Sequence, residues 1–357
     1  MAEIKLCPEC NAPEEITKNY VWLNNGVMVQ SGNMSRRVGF IESENLDPLY
    51  MGIGEIMGQP IDQLVIDVAR RGTLDYFGNI IPEEVKGVAR TANIGMGFLA
   101  EFMITMGQLN GFGKYEVMEV SYHGDENDHT TVRISEPFSL LLCAGTLAGG
   151  CEVLAGRPHG VSYHEISSGV YEITARVTED IGETGKGLSI KEYHHRDGDI
   201  ELKKCGTCGG PASLSGFKWV LDRGMIINTW TGRRMAMMGP EVQDPLFEEL
   251  ERELGETVPQ AVIEAQRRFI MTGFYSIDEV SDEGDFRTQL ALRGMGNLRE
   301  LSIGEKGMLM RIDNAANYLM TVGLAQGLFE MAFGIDSTVE WAVSQNGDLE
   351  VEVIPKR

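Results

Sequence analysis

The sequence is poor in basic residues, with 31 Lys and Arg against 53 Asp and Glu, which gives a formal net charge of −22 over 357 residues. Such a charge repels phosphate backbones and anionic headgroups, so we expect neither nucleic acid nor membrane partners. No basic segment followed by an apolar core opens the chain, so no secretory signal is indicated. The longest uncharged apolar stretch, about 137–151, is too short to cross a bilayer.

Several catalytic signatures are also missing. The sequence contains no glycine-rich phosphate loop, no serine nucleophile elbow and no supported pair of catalytic carboxylates. An enzymatic function is therefore left open but is not favoured. Cysteine is scarce, with six residues, and in a chain without a secretory signal these favour metal or thiol chemistry over a disulfide scaffold. We therefore expect a cytoplasmic protein.

What the chain does contain is an internal repeat, visible as matched residues at three constant offsets. The offset is 198 residues near the amino ends of the two copies, 197 a little later, and 178 near their carboxyl ends. The matched pairs include Cys7 with Cys205, Cys10 with Cys208, Arg36 with Arg234, Leu49 with Leu246, Gly145 with Gly323, and Gly149 with Gly327. We predict a first copy at 1–178, a linker or excursion at 179–204, and a second copy at 205–357.

The pattern of apolar residues predicts the same elements in each copy. A hairpin follows each cysteine pair, a helix follows the hairpin, and a glycine-rich apolar helix leads into a last hairpin. The helices are expected at 60–72 and 137–155 in the first copy and at 259–271 and 315–333 in the second, with further helix at 82–109. We expect an α+β fold of two repeated domains, each an antiparallel sheet with packed helices, arranged as a pseudo-twofold intrachain dimer.

The cysteine pairs give the strongest metal signal. Cys7 and Cys10 form one Cys-x-x-Cys pair, and Cys205 and Cys208 form the other. Two such pairs supply the four sulfur ligands of a structural zinc site, and they can meet if the copies pack about a twofold axis. We therefore predict one structural zinc bound by all four thiolates. Redox dithiols or two separate inert pairs are the alternatives.

A glycine-rich motif carries a resemblance to a known family. Gly145 and Gly149 lie on one apolar helix, which is followed by Gly156-Arg157-Pro158 and by a hairpin that turns at Gly169. This stretch resembles the 4-vinyl reductase domain family, also described as predicted hydrocarbon-binding proteins. That family is structurally related to haem nitric-oxide-binding domains and to vesicle-tethering subunits. The resemblance implies a domain that binds a small hydrophobic or aromatic molecule.

Five residues of the first copy are candidate ligand contacts. Gly145 and Gly149 leave room for a flat molecule or for another backbone, so tight packing is the alternative. Arg133 is a candidate for binding a ligand carboxylate, or for an ion pair with Glu152. Tyr163 and His164 lie on the strand where the family builds its site, and an ordinary strand histidine is the alternative.

The family's sensor members bind zinc through cysteines that flank the final turn, and this sequence departs from that pattern. Glu165 and Ile173 stand at those positions. A replacement site made of His164, Glu165 and Glu172 is left open. Cys143 and Cys151 lie two turns apart on the apolar helix, where core positions are expected.

The main hypothesis is a binding protein for a small hydrophobic or aromatic ligand, with a structural zinc joining the two copies. The alternative is a structural or regulatory subunit that acts through a partner protein. Ligand binding is expected in the first copy, because all six histidines and the longer middle region lie before residue 196.

Overall fold

A computed structural model of the chain describes residues 4–81, 83–84, 86–87, 94–179, 195–280 and 282–356. The first helix among these residues, α1 (Glu14–Asn19), is short. The longer helices are α2 (Leu46–Met57), α3 (Asp62–Ile80), α4 (Ile94–Asn110), α5 (Leu140–Ala155), α6 (Pro240–Leu254), α7 (Val258–Phe269), α8 (Glu283–Leu292) and α9 (Tyr318–Phe333). No helix in these ranges is both long and apolar enough to span a bilayer.

The strands form three antiparallel sheets. The first-half strands are β1 (Tyr20–Trp22), β2 (Met28–Gln30), β3 (Asn33–Glu42), β4 (Lys114–Ser121), β5 (His129–Ser135), β6 (His159–Ser167) and β7 (Val170–Val177). The second-half strands are β8 (Phe217–Val220), β9 (Met225–Asn228), β10 (Arg234–Met238), β11 (Asn297–Gly304), β12 (Gly307–Asp313), β13 (Ser337–Val343) and β14 (Leu349–Pro355). The α+β fold is confirmed.

Each half contains a four-stranded sheet of the same topology. The strand orders are β4-β5-β7-β6 in the first half and β11-β12-β14-β13 in the second. The glycine-rich helices α5 and α9 occupy equivalent places, and each ends at a left-handed glycine, Gly156 with φ 67° or Gly334 with φ 65°. Glycine adopts this conformation without steric cost, which explains why both helices stop there.

The third sheet joins the two halves. Its order is β1-β2-β3-β10-β9-β8, with β3 and β10 antiparallel at the centre. On one side of this central pair the strands follow in the order β3, β2, β1, and on the other side in the order β10, β9, β8. This matching order is the pattern expected of a pseudo-twofold axis between β3 and β10. Sequence analysis predicted the outer hairpins but not β3 and β10. Both central strands are largely buried on both faces, so their sequences lack the alternation that marks a half-exposed strand.

The helices of the two halves also interlock. Helix α2 packs on α7 of the other half, and α6 packs on α3. A Cβ at Gly52 would lie 3.1 Å from the Ala265 Cβ, so this small residue lets α2 and α7 approach closely. The predicted linker lies largely outside the described residues. Its described end contacts the first half, where Asn25 Nδ2 donates to the Arg196 carbonyl.

The contacts of the central strands show that one predicted pair of matching residues, Arg36 with Arg234, is misaligned by one residue. Arg37 donates to the carbonyls of Gly294 and Ala315, and Arg234 donates to those of Gly111 and Pro137. Ala315 and Pro137 are themselves matched at the 178-residue offset, so Arg234 corresponds to Arg37. The predicted match of Arg36 with Arg234 is therefore wrong, and Arg36 corresponds to Arg233.

Candidate functional site

The four predicted cysteines meet between the halves. Cys7 Sγ lies 3.7 Å from Cys205 Sγ, and Cys10 Sγ lies 3.5 Å from Cys208 Sγ. All four sulfur atoms lie within 4.8 Å of one another. We call this group the cysteine clasp. Each cysteine faces its own repeat counterpart, as expected near a twofold axis.

Local backbone structure positions these thiols in the same way in both halves. After each cysteine pair, the residue that follows adopts a left-handed conformation, Asn11 with φ 58° and its counterpart Gly209 with φ 74°. Asn and Gly are the residue types that tolerate this conformation best. The Glu9 carboxylate accepts hydrogen bonds from the backbone N–H groups of Gly206 and Thr207, at 3.2 and 3.1 Å. The two turns are therefore held against each other by direct contact as well as by the cysteines.

The clasp has the geometry of a tetrahedral sulfur site. A zinc–sulfur bond is about 2.3 Å, so a regular tetrahedron of sulfurs has edges of about 3.8 Å, close to the two measured distances. All four cysteines are free thiols. The backbone N–H of Cys10 lowers the pKa of the Cys7 thiol to about 7, whereas burial raises the pKa of Cys10. A bound cation would favour the thiolate form of all four. The group could therefore bind a metal ion.

The remaining metal and thiol candidates do not form a site. Among the described residues, the clasp is the one cluster of His, Cys, Asp or Glu side chains with metal-binding geometry, so His164, Glu165 and Glu172 do not form another. Burial raises the pKa of Cys143 to about 12 and that of Cys151 to about 11. Both thiols are core groups, as sequence analysis expected.

The two predicted glycine contacts are occupied by a helix. A Cβ at Gly145 would lie 2.3 Å from the Ile66 carbonyl oxygen, and a Cβ at Gly149 would lie 2.4 Å from that of Arg70. Both carbonyls belong to α3, so α3 and α5 pack backbone to backbone. The expectation that these glycines contact a ligand is wrong, because α3 fills the space beside them. Tight packing, the alternative for these two glycines, is what the structure shows, and the packing partner is a helix.

The other three predicted ligand contacts lie on the sheet β4-β5-β7-β6. Arg133 donates to Glu172 at 3.1 Å, and Glu152 instead pairs with Arg70 at 2.7 Å. The predicted partner of Arg133 was therefore wrong. Tyr163 packs against the core and His164 is exposed. None of these side chains lines the cavity described next.

An apolar cavity of about 190 Å³ lies in the first half, beside the packed helices. Its walls come from α3, α4, α5 and β3, and from β10 and α6 of the second half. The apolar lining residues include Val38, Val68, Tyr76, Phe77, Met106, Phe112, Phe138, Leu142, Met237, Val242 and Leu246. The helices predicted at 82–109 and 137–155 supply Met106 and Leu142 to this lining. The wall from the second half was not predicted, because no local sequence pattern shows which helices pack together.

Among the described residues that line this cavity, Arg36 is the one with a charged side chain. Its guanidinium carbon lies 4.5 Å from the centroid of the Tyr76 ring, and Gln30 Nε2 donates to the Tyr76 hydroxyl at 3.1 Å. The Nη1 atom of Arg36 is shielded from water and has no hydrogen-bond acceptor among the described residues. The cavity therefore has an apolar body and one cationic wall.

A second cavity, of about 560 Å³, occupies the equivalent place in the second half. Its lining residues match those of the first cavity at the repeat offsets, including Met320 for Leu142, Leu324 for Thr146, Gln266 for Ala69, Asn45 for Val242 and Arg233 for Arg36. Polar groups replace apolar ones at several of these positions. Arg233 is held by the Glu279 carboxylate through two hydrogen bonds of 2.5 Å. The two cavities thus share a location but differ in chemistry.

Comparison with known proteins gives weak likenesses. No family model matches the chain, and no curated protein matches it. Among solved structures, a Cs H-NOX variant that carries 4-cyano-L-phenylalanine matches 33% of this chain and 72% of its own at 18% identity, with a TM-score of 0.23. A variant of the T. tengcongensis H-NOX protein matches 33% of this chain and 73% of its own at 18% identity, with a TM-score of 0.22. With TM-scores this low, function has to be inferred from the chain's own side chains.

Proposed function

We propose that this protein binds a small hydrophobic or aromatic molecule in the first-half cavity, and that the cysteine clasp holds a structural zinc. The observation that carries the proposal is the apolar lining of the cavity, in which Arg36 is the one charged residue that the structure describes. Ligand sites are typically apolar concavities with a few convergent polar groups. For scale, an apolar cavity of about 150 Å³ in another protein takes up benzene.

Zinc is the metal proposed for the clasp because four thiolates in a closed tetrahedral set are typical of structural zinc sites. A closed set leaves no open position for a substrate, so the role proposed is structural. The clasp ties residues 7 and 10 to residues 205 and 208, so the metal would hold the two halves together. Free thiols in this number suit a reducing compartment, and we propose a cytoplasmic location.

The glycine-rich helix and its hairpin support a further proposal, that each half is a 4-vinyl reductase domain. Helix α5 is followed by the hairpin β6–β7, and α9 by β13–β14, in agreement with the order of elements that the resemblance implies. The proposed ligand site is not the family's zinc site, whose cysteine positions hold Glu165 and Ile173.

The test of ligand binding is a matched pair of cavity-filling variants. Thr146 lines the first cavity, and its repeat counterpart Leu324 lines the second. Thr146→Phe should fill the first cavity and reduce uptake of an apolar fluorescent probe at least tenfold, whereas Leu324→Phe should leave uptake within about twofold of wild type. Titration of each folded variant with the probe measures both.

The outcomes separate the two hypotheses for the protein. Loss of uptake only in Thr146→Phe supports the first-half site. Loss only in Leu324→Phe would mean that the second cavity binds the probe. If the wild-type protein takes up no apolar probe, the ligand-binding proposal fails, and a structural or regulatory subunit with a partner protein takes its place.

A further inference from the structure

We infer that the ligand of the first-half cavity carries a carboxylate, which Arg36 binds; this inference rests on the proposed function. The ligand class is a small monocarboxylate with an apolar or aromatic body. Its body would contact Met106, Phe138 and Leu142, and its acidic end would meet the guanidinium. This assigns charge selectivity to a cavity that is otherwise apolar.

The state of Arg36 itself supports a carboxylate ligand. A guanidinium N–H group that is shielded from water and makes no hydrogen bond is costly, because its hydration has been removed without replacement. Nη1 of Arg36 is such a group among the described residues. The Tyr76 ring lies against the guanidinium but offers no acceptor in the plane of its N–H groups. A ligand oxygen would supply the missing acceptor.

The counterpart of Arg36 in the other half points to the same class of ligand. Arg233 also lies over an aromatic ring, with its guanidinium carbon 4.1 Å from the centroid of Tyr275. There, however, the chain supplies its own carboxylate, because Glu279 binds both Nη1 and Nη2 of Arg233. Among the described residues, no carboxylate forms an ion pair with Arg36. In the first half, a ligand carboxylate would take the place that Glu279 fills in the second.

A carboxylate also fits the chemistry of the guanidinium group. A guanidinium presents two parallel N–H groups that match the two oxygens of a carboxylate, and such bonds are stronger than those between neutral groups. The interaction would lie in an apolar cavity, where a charge pair is screened less than at the surface. An ammonium ligand would be repelled by Arg36, and a purely apolar one would leave Nη1 without a partner.

The experiment uses two probes that share a ring and differ in charge, 1-naphthoate and 1-naphthamide, titrated into the full-length protein by calorimetry at pH 7.5. Wild type should bind the carboxylate about tenfold more tightly than the amide, the ratio typical of one hydrogen bond to a charged group. Arg36→Met should abolish that preference while leaving the affinity for the amide within about twofold. Arg268→Met, which removes an equal charge from an exposed site outside the cavity, should keep the preference.

Two results would overturn the inference alone. Either wild type binds the amide as tightly as the carboxylate, or Arg36→Met keeps the preference. If neither probe binds wild type, the proposed function fails and the inference fails with it. The wild-type ratio decides the matter even if Arg36→Met does not fold. Arg36→Lys, which keeps the charge but loses the paired N–H groups, should then show a reduced preference.

Discussion

The two halves of this protein place a cavity at the same point and balance its charge in opposite ways. In the second half, Arg233 is bound by Glu279 and lies over two aromatic rings, Phe274 and Tyr275. In the first half, Arg36 lies over Tyr76 and has no carboxylate partner among the described residues. The walls differ too, since Ala69 and Val242 of the first cavity correspond to Gln266 and Asn45 of the second.

The two halves share an architecture and differ in the groups that line their cavities. In the second cavity the chain itself supplies the carboxylate that pairs with Arg233. The first cavity keeps an apolar surface and an unsatisfied cation, which is the arrangement expected of a binding site. Both halves keep the same glycine-mediated helix packing and the same strand order, while side chains that face the cavities differ.

The two halves can be compared only if they are held together, and the cysteine clasp is proposed to do this. Removing one clasp cysteine should therefore have the largest effect on stability. Cys208→Ser should abolish binding of the proposed zinc and destabilise the fold by more than about 3 kcal/mol, because metal binding free energy becomes folding free energy. Elemental analysis and urea denaturation measure both. Cys143→Ser, in the core, should keep its zinc. Equal zinc in both variants, or none in wild type, would contradict the clasp.

The helix packing common to both halves can be compared directly. Gly149→Ala should destabilise the protein by about 3 kcal/mol, because the new Cβ would meet the Arg70 carbonyl, a backbone atom that cannot rotate away. Gly327→Ala should cost about 2 kcal/mol, since its nearest neighbour is the Ile270 side chain.

Thermal or urea unfolding measures both glycine variants. Gly78→Ala is the control, because a Cβ there meets no described residue within 4 Å, and it should be neutral or slightly stabilising. A Gly149→Ala protein as stable as wild type would show that α3 and α5 are not in backbone contact.

The two arginines give the sharpest test of divided roles. Arg233→Met should destabilise the protein by about 2 kcal/mol, because it leaves the Glu279 carboxylate without its partner in a half-buried place. Arg36→Met should cost under about 1 kcal/mol, because it removes an unsatisfied group and one ring contact. Urea denaturation of the ligand-free protein gives both values. If Arg36→Met is the more damaging change, Arg36 is structural and the asymmetry disappears.

The smallest expected effect is a loss of folding stability at acidic pH, which should arise in the first half. His159 is fully buried, with Nδ1 2.7 Å from the Arg157 carbonyl and Nε2 3.0 Å from the Tyr122 hydroxyl. Burial lowers the pKa of His159 below its usual 6.5. The unfolded chain therefore binds this proton at higher pH than the folded one, so stability present above pH 6.5 is lost as the pH falls below it. The repeat counterpart, Ser337, does not titrate.

The measurement is the urea midpoint at pH 7.5 and at pH 5.5. His159→Gln should lose less stability between the two pH values than wild type does. His164→Gln, at an exposed position, should show the wild-type difference. An unchanged pH difference in His159→Gln would mean that another group causes the acid sensitivity.

Sequence alone determined the features that depend on residue identity and local spacing. The constant offsets predicted two halves with equivalent elements, and the two Cys-x-x-Cys pairs predicted the clasp, because their four thiols meet if the halves pack about a twofold axis. The hairpins and the glycine-rich helices were also found, since their periodicity and their terminal glycines are local signals.

Tertiary structure alone decided which surfaces face each other. Gly145 and Gly149 look the same in sequence whether a ligand or a helix lies beside them, and it is α3 that does. The cavity draws its walls from both halves, and the difference between Arg36 and Arg233 depends on a carboxylate 46 residues from Arg233. Contacts of this kind are set by how distant segments pack, and the sequence of one segment does not show which other segment lies against it.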